Sequence, residues 1–163
     1  MASEWVMYIS VVAIGVLAIA GVTLTFNTIN LNTVENTVEV GLREISTTIA
    51  NELKAVLELG ANTDPLTRVE INRTLDLPRR IAGHEYEVNF LVFPGANHWF
   101  IEAVDTTDST ISEFIFETTV PWQGVSLSNK AGTGLPIISS SNYQHHIDFI
   151  RTAGSNSFTI YIS

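Results

Sequence analysis

The stretch Trp5–Leu24, WVMYISVVAIGVLAIAGVTL, is apolar on nearly every helical face and contains no charged residue. About 20 residues in an α-helix rise roughly 30 Å, the thickness of a bilayer hydrocarbon core. A core helix of a soluble protein keeps a polar face, and this segment has none. A secretory signal carries a basic n-region and a shorter apolar run, whereas Met1-Ala2-Ser3-Glu4 holds no basic residue, so the segment is expected in the mature protein. Trp5 and Tyr8 open the run, where amphipathic rings favour the membrane–water interface. The first basic residue is Arg43, too far downstream for the positive-inside rule to give an orientation.

Downstream, NTINLNTVENTVEVGLREISTTIANELKAVLELG contains no proline. Leu31, Val34, Val38, Leu42, Ile45, Ile49, Leu53, Val56 and Leu57 follow steps of three and four, forming one apolar stripe. The charged residues from Glu35 to Glu58 fall mainly off it, so the stripe reads as a packing seam. Gly60, able to take a left-handed conformation, followed by Ala61-Asn62-Thr63-Asp64-Pro65, is expected to stop the helix. A helix from Ser3 to Leu59 would be roughly 85 Å long, more than one small domain can cover. Thr23–Thr33, rich in threonine and asparagine, is the weakest part and a candidate for a kink or melted stretch.

After Pro65 the pattern changes to short runs of β-branched and aromatic residues. Strands are expected at Val69–Leu75, Tyr86–Phe93, Trp99–Val104, Ile111–Val120, His146–Arg151 and Phe158–Ile162. Turn-forming segments separate them, among them 78–83, 94–97, 105–109, 121–124, 129–134 and 154–156. The expected fold is α+β, a long hydrophobic-then-amphipathic helix (1–60) followed by an antiparallel, sandwich-like β head (66–163).

The composition narrows the chemistry. Lysine and arginine number 8 against 17 acidic residues, and no segment clusters the cations that a phosphate backbone requires, which argues against nucleic acid as a partner. With no cysteine, disulfides, thiolate metal sites and cysteine nucleophiles are all excluded. No phosphate-binding loop, nucleophile elbow or zinc-binding helix motif occurs; Gly132-Thr133-Gly134-Leu135-Pro136 reads as a turn. His84, His98, His145 and His146 read as surface residues, the adjacent pair pointing to opposite faces of a strand. Asp105 and Asp108 with Ser109 and Thr110 offer calcium-type oxygen ligands but read as a solvated hairpin. Neither a catalytic residue, a cofactor nor a metal is expected. Asn72-Arg73-Thr74 is an N-glycosylation sequon, relevant if the head lies outside the cell.

An apolar N-terminal helix, an amphipathic continuation and a β-rich head resemble the type IV pilin superfamily. The stretch VMYISVVAIGVLAIAGVTLTFNTI looks most like its archaeal branch of adhesion pilins, archaellins and archaellum stator proteins. The resemblance covers Met1 to about Leu59, and LPRRIAGHEYEV is similar to a proline-to-glycine hairpin element of archaeal secreted and pilin-like proteins. Such pilins are made with a short basic leader; none is visible here, so either a leader precedes Met1 or the chain is processed differently. Glu4 lies near the position of the glutamate that many bacterial pilins carry.

The resemblance implies a non-enzymatic structural subunit of an extracellular filament at the cell surface, anchored in the membrane before assembly. Val6, Ile9, Val12, Ile14, Val16, Leu17, Ile19 and Leu24 would pack in the filament core. Leu31, Val34, Val38, Leu42, Ile45, Ile49, Leu53 and Val56 would pack as a stalk on neighbouring subunits and heads. The partners implied are copies of the chain, the membrane and a surface-layer or host-surface component. The alternative is a permanently anchored, stator-like accessory protein with a binding head.

Overall fold

The computed structural model describes residues 2–92, 99–107, 111–115, 125–142, 144–155 and 157–163, with backbone alone for 2–3 and 113–115. Helix α1 runs Ala2–Ala61 and is followed by β1 (Val69–Leu75), β2 (Tyr86–Leu91), β3 (Phe100–Asp105), β4 (Ser112–Ile115), β5 (Val125–Asn129), β6 (Ile137–Ser139), β7 (His145–Arg151) and β8 (Phe158–Ile162). The chain is α+β with a sheet-rich head, and it divides into two compact units, Met1–Asn36 and Thr37–Ser163.

In the first unit the threonines do not break the helix. Thr23, Thr25, Thr28 and Thr33 bond the carbonyls of Ile19, Gly21, Leu24 and Ile29 at 2.8–3.0 Å, so each hydroxyl finds a partner one turn back along its own helix. Thr23–Thr33, the candidate for a melted stretch, is α-helical throughout.

In the second unit the amphipathic stripe packs on the chain's own head. Val38, Leu42, Ile45, Ile49, Leu53 and Val56 are 0–3% exposed within this chain alone, and Leu57 is buried beside them. They face their own head, so this part of the stripe is head core and is not free to be a seam for neighbouring subunits. The stripe exceeds what a free stalk needs because the sheets must cover their apolar faces. Leu31 is exposed and Val34 half-buried. The boundary at residues 60–66 therefore moves to 36/37, since the helix from Thr37 onward folds with the strands.

Two four-stranded sheets complete that unit, in the orders β1-β7-β8-β5 and β4-β3-β2-β6. All pairs are antiparallel except β5 with β8, whose parallel register runs Val125↔Phe158 to Asn129↔Ile162. That pair, together with the short β6, departs from the wholly antiparallel expectation. The alternation is strict in β2 and β7, where Tyr86, Val88 and Phe90, and His145, Ile147, Phe149 and Arg151, are buried while intervening residues are half-exposed. Each of these strands therefore has one core face and one wetter face.

Two glycines fit the helix to the strands. A Cβ on Gly60 would lie 2.2 Å from Phe149 Cζ, and one on Gly41 would lie 2.4 Å from Ile81 Cγ2. Gly60 is helical, not left-handed as expected of a stop residue, and is required for close approach to the β7 ring. Among the described residues the left-handed glycines are Gly83, Gly132 and Gly154, all in turns. Ala82 and Gly83, both at positive φ, join Ile81 to His84 through reciprocal backbone bonds of 3.0 and 2.8 Å. Positive φ at both central residues is the geometry of a type I′ turn.

Candidate assembly surface

The large apolar residues of the first unit, Val34 apart, have no cover. From Trp5 to Leu31 the large hydrophobic side chains are 46–72% exposed, among them Val6, Ile9, Val12, Ile14, Val16, Leu17, Ile19 and Leu24. These positions occupy every side of the helix, since successive residues are about 100° apart. The helix is long and apolar enough to cross a membrane, by length and composition. An exposed apolar surface far beyond the few hundred Å² usual on soluble monomers marks a surface that something else covers. Gly15 and Gly21 have nothing within 4 Å of a would-be Cβ, leaving two places where a neighbouring backbone could approach.

The junction of helix and head is built around a buried cation. Arg151, only 3% exposed at the end of β7, donates from Nη1 to Gly60 O at 2.8 Å and from Nη2 to Asp64 O at 2.6 Å and Thr63 O at 3.1 Å. Nη2 also reaches Thr67 O at 3.4 Å, and Nε has no partner among the described residues. A cation at this end of the helix complements the partial negative charge of the unsatisfied carbonyls. The sequence reading passed over Arg151, although it sits in phase with Ile147 and Phe149 on the buried face of β7. That phase was the signal.

Two histidines and one aspartate depart from their sequence reading. Asp105, read as part of a solvated hairpin, is fully buried: its Oδ2 accepts from His84 Nδ1 at 2.7 Å and its Oδ1 from the Thr107 amide at 2.7 Å. His84 is correspondingly half-buried rather than at the surface. His145 is buried and donates from Nε2 to Ser139 O at 3.0 Å, linking β7 to β6 and so one sheet to the other. His146 faces the opposite way, as the strand period requires, with Nδ1 3.3 Å from Thr74 Oγ1. His98, Asp108, Ser109 and Thr110 lie outside the described residues, as do Phe93, the 94–97 and 121–124 turns and the 116–120 part of the fourth expected strand. No group of three or more potential metal-ligating side chains converges among the described residues.

On the half-exposed face of the first sheet, an open cavity of about 400 Å³ is lined by Glu70, Asn72, Lys130, Asp148, Ile150 and Tyr161 among others. Asn72, the sequon asparagine, is exposed on β1 and donates its side-chain amide to Asp148. Lys130 Nζ stands 3.9 Å from the same carboxylate. Set against models of protein families, curated proteins and solved structures, the chain matches none. Function must therefore be argued from the surfaces.

Proposed function

We propose that this chain is a structural subunit of an archaeal type IV pilus-like extracellular filament, held in the membrane by the first half of α1 and assembled with copies of itself through that half. One observation carries the reading. The helix changes partner at residue 36/37: beyond it the apolar stripe is satisfied by the chain's own head, and before it an apolar surface is exposed on all sides. A lipid bilayer covers such a surface before assembly, and other copies of the same helix cover it afterward. The head buries Val38, Leu42, Ile45, Ile49, Leu53 and Val56 of its own helix, as a subunit carried on a helical core would need to.

The second reading, an anchored stator-like protein with a binding head, draws on the cavity beside Asp148, which offers polar groups to a surface-layer or host-surface component.

Material sheared from producing cells, viewed by negative-stain electron microscopy and followed by N-terminal sequencing of any filament band, separates the two. Filaments composed of this chain support the filament reading. Ile14→Glu is expected to abolish filaments while the head remains folded, because a charge at a helix centre costs about 3 kcal/mol in an apolar environment. Normal filaments from Ile14→Glu, or the chain found in the membrane fraction with no filament, would overturn the proposal.

A further inference from the structure

Within the exposed part of α1 a groove of about 710 Å³ interrupts the apolar surface; Val22, Phe26, Ile29 and Thr33 line it together with Thr23, Asn27 and Asn30. Steps of four and three place Thr23, Asn27 and Asn30 on one helix face. The threonine hydroxyls there are already spent on their own helix, Thr23 on Ile19 O and Thr33 on Ile29 O. The side-chain amides of Asn27 and Asn30 are exposed and have no hydrogen-bond partner among the described residues.

Once Phe26 and Ile29 beside them are covered, these amides lose water, and each unsatisfied group then costs about 1–3 kcal/mol. No charged residue occurs between Trp5 and Val34, so an ionic partner would find no counter-charge. An amide carries donors and an acceptor in one group and is complementary to another amide. The same helix in a second copy supplies that amide.

We propose that Asn27 of one copy and Asn30 of the next form amide–amide hydrogen bonds and so fix the axial register in which the helices pack. This rests on the reading that copies associate through the first half of α1. Pairing Asn27 with itself would make an isologous contact that closes at two copies, whereas pairing Asn27 with Asn30 is heterologous and leaves an open end. The three-residue difference is an axial offset of about 4.5 Å. Buried asparagines in helix seams set register in this manner at some cost in stability.

The absence of cysteine makes the test direct. Full-length Asn27→Cys and Asn30→Cys chains, distinguished by an epitope tag, are produced together in cells and oxidised. Thr25→Cys, on the opposite face, serves as the control, and capture of the untagged chain with the tagged one from detergent, before oxidation, reports helix association by itself. The mixed 27–30 disulfide is expected to exceed both like-with-like dimers and the Thr25→Cys dimer by about fivefold, since disulfides demand Cα atoms within about 7 Å. Co-capture of the two chains with no preference for the 27–30 pair would overturn the register proposal and leave association through the helix standing. Neither co-capture nor a dimer at any position would overturn both.

Discussion

Removing the helix from the head tests most directly what holds the second unit together. A fragment beginning at Pro65 retains every strand but loses Val38, Leu42, Ile45, Ile49, Leu53, Val56 and Leu57, all buried within the chain. Each such side chain contributes about 1.5–3 kcal/mol on burial, so the set contributes on the order of 10–20 kcal/mol. A domain of this size has a net stability of about 5–15 kcal/mol. The fragment also strands Arg151, whose guanidinium loses its bonds to the carbonyls of Gly60 and Thr63. A fragment from Thr37 keeps all of these and leaves out the exposed apolar helix. In thermal unfolding followed by circular dichroism and calorimetry, residues 37–163 should melt in one cooperative transition, and residues 65–163 should show none and precipitate or bind hydrophobic dye. A cooperative transition for 65–163 within a few degrees of that for 37–163 would refute the assignment of the helix to the core.

Three further outcomes follow from single contacts. Arg151→Met should destabilise the 37–163 fragment by about 2–4 kcal/mol in urea titration, because the buried Gly60 carbonyl loses a charge-assisted bond, while Arg68→Met, which breaks an exposed pair with Glu70, should cost under about 0.5 kcal/mol. Gly60→Ala should cost about 1–3 kcal/mol by driving a methyl into the Phe149 ring, whereas Gly15→Ala and Gly21→Ala, with open space around them, should each raise helix stability in detergent by about 0.5–1 kcal/mol, read from thermal melts by circular dichroism. Burial pushes the Tyr86 phenol up from 10.0 to about 12, so the folded state holds its proton longer than the unfolded state. Stability from this group is intact below pH 10 and is lost as pH rises from 10 to about 12, by about 1.4 kcal/mol per unit. Tyr86→Phe, which gives up the bond to Pro78 O, should be less stable than the parent at pH 7 and should lack that alkaline loss in urea titrations run from pH 8 to 12.

The helix, its apolar stripe and six of the strand positions were legible because each rests on local periodicity. Val69–Leu75 and Phe158–Ile162 have the bounds expected from their alternation. β5 and β6 were not: VSLSN alternates over only two apolar residues, Val125 and Leu127, and IIS is three residues long, so both are too short to stand out from the turn-rich sequence around them. They become strands because β8 and β2 present free edges, which is tertiary information. The same limit applies to the core polar groups. Asp105 has the composition of a turn residue, and only the fold brings His84 and the Thr107 amide to its carboxylate. Gly60 shows the limit most clearly, since a glycine before a proline-containing turn fits a left-handed stop, while its need for space comes from Phe149 on a distant strand.

Periodicity alone also could not assign the two halves of the stripe to their partners. Leu31 and Leu42 are both in phase on α1, yet one is exposed and the other fully buried. What differs is the unit to which each belongs, Leu42 packing inside Thr37–Ser163 and Leu31 lying in Met1–Asn36. A partner for the exposed half must therefore accept apolar surface on all sides together with the polar band at Asn27 and Asn30. Lipid covers the first and leaves the amides to the headgroup region, whereas an identical helix covers the first and also answers the amides. If the apolar half served only as an anchor, replacing Asn27 and Asn30 by leucine would leave its behaviour unchanged. If copies pack through it, the same replacement should preserve association and disorder the register.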